Sequence, residues 1–126
     1  MVVLDTSALL FWTLDRTRLS VDAASAIADA DHVLVSSISI WEIGIKVSKS
    51  RLSIPIPIRE YAERLQLVDR VEVLPMDAET WLANLELQWD HRDPADRSIV
   101  ATALLKSCPL VTSDRTIRAF YPLSVW

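Results

Sequence analysis

Four short apolar runs limit what this chain can become. Val2 to Leu4, Val33 to Val35, Val71 to Leu74 and Leu110 to Val111 are dominated by β-branched and other apolar residues. They are too short to be helices and suit strands buried on both faces. A last short strand is expected over Leu123 to Trp126, at a sheet edge. Helical patterns fill the intervals. Ser20 N-caps an alanine-rich stretch ending near Ala30, and Ser37 or Ser39 caps a helix through Trp41, Ile45 and Ser48. Arg59 to Leu67 follows the extended Ile54-Pro55-Ile56-Pro57-Ile58 connection, with Pro57 near its first turn. Asp77 caps Ala78 to Leu87, on which Trp81, Leu85 and Trp89 are expected to share a face. Pro94 opens a helix running to Lys106, with Ile99, Ala103 and Leu104 as its apolar stripe and Val100 at the flank. Strand–helix alternation of this kind implies an α/β fold, with a mostly parallel sheet covered on both faces.

The 126 residues suit one domain, 1–126, with one core. A composition of 51% hydrophobic and 24% charged residues is that of a globular protein. No apolar run approaches the ~20 residues of a membrane helix. The start, Met1-Val2-Val3-Leu4, has no basic leader, so a cytoplasmic protein without a membrane association is expected. Gly44 is the single glycine, which excludes a Rossmann glycine fingerprint and a P-loop. Cys108 is the single cysteine and reads as a buried spacer. The net charge of -4 argues against a broad basic nucleic-acid-binding face. Four carboxylates are better counted apart from that balance, because without them 13 basic residues face 13 acidic ones.

Those four are Asp5, Glu42, Asp96 and Asp114. Asp5 directly follows the first strand, and Asp114 lies just past the strand at Leu110. Glu42 and Asp96 fall in the first or second turn of their helices. In a doubly covered parallel sheet these places lie along the carboxyl edge, where sites form at a reversal of strand order. Converging carboxylates repel one another, and a hard divalent cation is the usual remedy. Each also has a plainer reading. Asp5, Asp93 before Pro94, and Asp114 are natural helix N-caps, and for Asp93 that reading is preferred. Glu42 reads as a surface charge, and Asp96 as a partner of Arg92 or Arg97. Thr6, Ser7, Thr112 and Ser113 are placed to hydrogen-bond the carboxylates or water. Neither Ser7 nor Ser113 has the partners of a nucleophilic serine. His91 is read as a loop residue, since magnesium sites seldom use imidazole. Trp12, Trp41 and Trp81 fit helix faces and read first as core. Any surplus apolar surface would serve a second copy or a partner helix.

Four segments of the chain resemble the four motifs of the PIN domain. They are Leu4-Asp5-Thr6-Ser7-Ala8-Leu9-Leu10, Ser36-Ser37-Ile38-Ser39-Ile40-Trp41-Glu42, His91-Arg92-Asp93-Pro94-Ala95-Asp96-Arg97 and Thr112-Ser113-Asp114. The order and length are right, and the group most similar is that of the VapC-like ribonuclease toxins. The resemblance implies a three-layer α/β/α sandwich with a roughly five-stranded sheet. It implies an endoribonuclease dependent on Mg2+ or Mn2+, with an RNA substrate, an antitoxin partner and a homodimeric state. Asp5, Glu42, Asp96 and Asp114 would form its acidic quartet and hold one ion or two. Asp93 is an additional acid of the Asp-Pro-x-Asp-Arg variant, and Arg97 would pair with a carboxylate or steady a phosphate. Ala95 departs from the bulky residue common at that place. Two alternatives stand beside the toxin: a PIN nuclease of RNA processing, and a receiver-like phospho-acceptor domain. The latter lacks the acid pair expected after the first strand.

Overall fold

A computed structural model describes all 126 residues. The strands are β1 (Val2–Leu4), β2 (Val33–Ser36), β3 (Val71–Leu74), β4 (Leu110–Val111) and β5 (Ser124–Val125). They form one sheet in the order β3-β2-β1-β4-β5, and every neighbouring pair is parallel. β1 is central: Val3 stands opposite both Leu34 and Leu110, and Leu4 opposite both Val35 and Val111.

Side chains alternate across the sheet and build a core on each face. Val2, Leu4, Val33, Val35 and Val111 belong to one core, and Val3, Leu34 and Leu110 to the other. Each fully buried Val or Leu contributes about 1.5–3 kcal/mol. The first face is covered by α1 (Thr6–Leu14), α2 (Val21–Asp29) and α4 (Ile58–Leu67), through Leu9 and Trp12, Ala23 and Ile27, and Tyr61 and Leu65 respectively. The second is covered by α6 (Pro94–Lys106) and α7 (Arg115–Phe120), through Ile99, Val100, Ala103 and Ile117. α3 (Ser37–Ser48) reaches both cores, with Ile43 in one and Ile38 in the other. α5 (Ala78–Glu86) packs on α6 and not on the sheet. The result is the expected α/β/α sandwich, with an all-parallel sheet of five strands. No helix is long and apolar enough to cross a membrane.

Local sequence explains the helix ends. Ser20 and Asp77 cap α2 and α5 by accepting from Ala23 N and Thr80 N. The cap of α3 falls one residue earlier than expected, on Ser36, whose Oγ accepts from Ile38 N. Ser39 is buried instead, because it meets Thr6 of α1. With one glycine available, α6 closes on Ser107 in the left-handed region (φ 50°). Cys108 N–H then donates to Ala103 O and Ser107 N–H to Leu104 O, which satisfies the last carbonyls. Cys108 is buried, as its position before Pro109 predicts.

The tryptophans and two leucines depart from expectation. Trp12 is core, but Trp41 is 58% exposed, and Trp81, Leu85 and Leu104 also face outward. α5 turns Thr80 and Asn84 toward α6, and Asn84 Nδ2 donates to Ser98 Oγ at 2.9 Å. Burying those polar groups as a matched pair outranks burying Trp81 and Leu85 against a helix that offers them a hydroxyl. α6 lies between the sheet and α5, so most of its circumference is covered and Leu104 falls on the remaining strip.

Candidate active site

Strand order reverses between β1 and β4, and the carboxyl ends of such a strand pair are where parallel sheets form their ligand crevices. Asp5 reaches this edge from β1 and Thr112 from β4, at 5% and 0% exposure. Asp5 Oδ1 accepts from Ala8 N at 2.7 Å and caps α1, while Thr112 Oγ1 donates to Asp5 Oδ2. The Thr112 hydroxyl also accepts from Asp114 N at 3.0 Å, so one side chain ties Asp5 to the β4–α7 turn. Asp114 Oδ1 caps α7 through Thr116 N and Ile117 N. Asp93 Oδ1 caps α6 by accepting from Asp96 N.

Burial pushes the Asp5 carboxyl up to about 6, against the hydrogen bonds from Thr112 and Ala8. The charges of Asp96 and Asp114 push it further in the same direction. Asp96 is raised as well, first by burial, and also by Asp93 and Asp114. Three of the four expected carboxylates therefore share one electrostatic neighbourhood. Glu42 stands in the second turn of α3 and pairs at 3.8 Å with Lys46, one turn on; no bond joins it to the other three. The plainer cap readings of Asp5, Asp93 and Asp114 hold alongside this clustering. Asp96 pairs with neither Arg92 nor Arg97; its Oδ2 lies 2.8 Å from His91 Nε2.

The remaining expected residues divide. Thr6 Oγ1 donates to Ser39 Oγ at 3.0 Å and ties α1 to α3 behind the carboxylates. Ser7 is exposed and Ser113 half-buried. Arg97 reaches neither a carboxylate nor the crevice, because its guanidinium donates to the carbonyls of Asn84, Leu87, Trp89 and His91. Ala95 is buried in the second core. His91 is the neighbour of Asp96 that the sequence underrated. Its position five residues before Asp96 is the available signal, and only the fold of the loop into α6 gives that spacing meaning.

Carboxylate oxygens and a net negative crevice suit a hard divalent ion. The Asp5 carboxyl, raised first by burial and further by the charges of Asp96 and Asp114, is the kind of group whose ionised form such an ion would favour. No three His, Cys, Asp or Glu side chains are gathered closely enough to cage an ion. The residues thus fit a divalent ion in donor type and charge.

The PIN domain model matches residues 2–121, and the chain belongs to the PIN domain family. Among its relatives, ribonuclease VapC22 of Mycobacterium tuberculosis is 35% identical over 129 aligned positions, covering 99% of this chain and 98% of the relative. Two solved structures share the fold. A toxin–antitoxin complex from Klebsiella pneumoniae superposes with a TM-score of 0.71 at 19% identity, covering 100% of this chain and 97% of the other. VapBC2 of Rickettsia felis, bound to a DNA fragment from its promoter, gives 0.68 at 16% identity, with 100% of both chains covered. Family membership removes the receiver-like alternative.

Proposed function

We propose that this chain is a divalent-metal-dependent endoribonuclease and the toxin of a toxin–antitoxin pair. The observation that carries the reading is the buried Asp5 carboxylate at the carboxyl end of β1, held by Thr112 from β4 and within the electrostatic reach of Asp96 and Asp114. Its support is the 35% identity to a ribonuclease over nearly the full length of both chains. Asp5 and Asp96 would hold Mg2+ or Mn2+, and Glu42 and Asp114 would complete the shell or help hold a second ion. Such an ion supplies Lewis acidity toward water and the scissile phosphate. The chain's own groups prepare for it. Thr112 fixes the Asp5 carboxylate, the Thr6–Ser39 bond fixes the start of α1 against α3, and the crevice excludes bulk water from Asp5. Water as the nucleophile leaves 5′-phosphate and 3′-hydroxyl ends.

The partners proposed with this activity are an RNA substrate, a cognate antitoxin and a second copy of the chain. Exposed Trp41, Trp81, Leu82 and Leu85 offer apolar surface for protein contacts. The proposed setting is the cytoplasm, where such an RNA and antitoxin would be met.

The decisive test is incubation with total RNA, with and without EDTA, for the wild type and Asp96→Asn. Cleavage that needs metal and Asp96, and leaves 3′-hydroxyl ends, is the expected result. Cleavage that survives chelation overturns the metal mechanism. Growth arrest on induction, relieved by the product of the neighbouring reading frame, is expected of the toxin.

A further inference from the structure

The segment 87–93 joins α5 to α6 without regular structure, yet three of its carbonyls accept hydrogen bonds from one side chain. A chain without strand or helix must still satisfy its carbonyls. Here one side chain does so. Arg97 Nη2 donates to Asn84 O at 2.6 Å and Leu87 O at 3.2 Å, and Nη1 donates to Trp89 O at 2.6 Å and His91 O at 3.1 Å. Nε–H points to Asn84 Oδ1 at 3.5 Å. Three of these bonds go to carbonyls of the 87–93 segment and two contacts to Asn84 in the last turn of α5, so the five N–H donors of the guanidinium are committed to this junction.

The ring side of the segment is held as firmly. Trp89 stacks on Phe120 of α7, with centroids 4.5 Å apart and planes at 11°, and the His91 ring lies 4.7 Å from Trp89 on centroids. His91 is therefore fixed through its own carbonyl by Arg97 and through its ring by Trp89. It presents Nε2 to Asp96 Oδ2 at 2.8 Å. With Asp96 ionised, its carboxylate only accepts, and Nε2–H is then the donor. Asp96 and Arg97 are consecutive on α6 and point about 100° apart. One faces the crevice and the other holds the strut that steadies its neighbour.

We propose that His91 is a positioning residue, clamped by Arg97 and Trp89, that fixes the orientation of the Asp96 carboxylate for a divalent ion. This rests on the metal reading given above. A ligand carboxylate free to rotate costs order on binding, and a fixed outer donor removes that cost. Arg97 acts on the same group at one remove, without touching RNA.

The test is calorimetric titration of Mn2+ into the full chain, for wild type, Asp96→Asn, His91→Phe, His91→Gln and Arg97→Lys. RNA cleavage is measured in parallel as a function of Mn2+. His91→Phe keeps a ring on Trp89 but removes the donor, and is expected to weaken Mn2+ binding by roughly ten- to a hundredfold. His91→Gln keeps an N–H donor and is expected to recover most of that loss. Arg97→Lys is expected to weaken Mn2+ binding in the same direction. In cleavage, the Mn2+ half-saturation point rises for His91→Phe while the KM for RNA stays within about twofold of wild type, because the effect enters through the ligand. Nitrogen-15 spectra of the wild-type imidazole give a check that needs no variant: a proton on Nε2 is expected, and a bare Nε2 overturns the proposal. Wild-type Mn2+ affinity in His91→Phe, with binding lost in Asp96→Asn, overturns this inference and leaves the metal reading standing. If the wild type takes up no Mn2+, both fall together.

Discussion

The Thr112 hydroxyl donates to Asp5 Oδ2 across the seam between β4 and β1, joining residues 107 positions apart in the chain. The bond places a donor on a buried carboxylate that its acidic neighbours disfavour. Thr112 also receives Asp114 N, so the bond couples two expected metal-site acids through one oxygen.

Stability in the absence of metal should fall as pH rises. Asp5 titrates near 3.8 when exposed and near 6 in the fold. The folded chain therefore holds this proton more tightly than the unfolded one. Its contribution is full below pH 3.8 and is lost as pH rises through about 6. The loss is on the order of 3 kcal/mol, since each tenfold change in proton affinity is worth ~1.4 kcal/mol. Asp96, raised as well, adds in the same sense. Urea denaturation in EDTA at pH 4.5 and 7.5 captures about two-thirds of it, because the first part is already lost above pH 3.8. Asp5→Asn should flatten the profile and be the more stable protein at pH 7.5 without metal, and Mn2+ should then stabilise only the wild type.

Thr112→Val should cost more at alkaline than at acid pH. It strips Asp5 of a bond that lowers its pKa and leaves Asp114 N without its acceptor. An unsatisfied buried group costs about 1–3 kcal/mol. The deficit against wild type, read from melting curves, should shrink at pH 5, where Asp5 is protonated and its need for a donor is less. RNA cleavage at pH 8 should fall with it.

Cap and charge can be separated at Asp93 and Asp114. Both cap helices, and Asn or Ser caps as well as Asp does. Asp93→Ser should therefore keep both stability and cleavage, while Asp93→Ala loses about 1 kcal/mol of stability. Asp114→Asn should keep its melting temperature but lose cleavage by at least about tenfold. Equal cleavage by Asp114→Asn and wild type would take Asp114 out of the acidic site.

Ser107 holds the left-handed turn that ends α6, a conformation costing an L-residue about 1–2 kcal/mol. Ser107→Gly should raise the unfolding free energy by about 1 kcal/mol, net of the extra freedom glycine gains when unfolded. Cleavage should not change. Guanidinium titration reads the first quantity and an RNA assay the second.

Much of this architecture is legible before any coordinates. Val2 to Leu4, Val71 to Leu74 and Leu110 to Val111 are strands at the expected boundaries, and the helix from Pro94 ends on Lys106 as its pattern indicates. Boundaries of this kind are local, set by caps, prolines and short β-branched runs. Inward and outward faces are less secure. Trp81 and Leu85 have the right spacing for a buried stripe, but α6 presents Ser98, and Asn84 matches it. The same limit hid His91 and misdirected Arg97, whose chemistry suits a phosphate as well as four carbonyls. Only the path of the 84–91 segment selects between them.

The amino-acid order alone settled the kinds and succession of elements, the parallel sheet they imply, and which carboxylates lie at its carboxyl edge. Those follow from short-range sterics and from side-chain period. The packed chain decided which acids interact, how far Asp5 is raised, and that Thr112, His91 and Arg97 hold the groups around them. Desolvation and hydrogen bonding depend on what lies a few ångströms away, and across a strand seam the separation in space is unrelated to the separation along the chain.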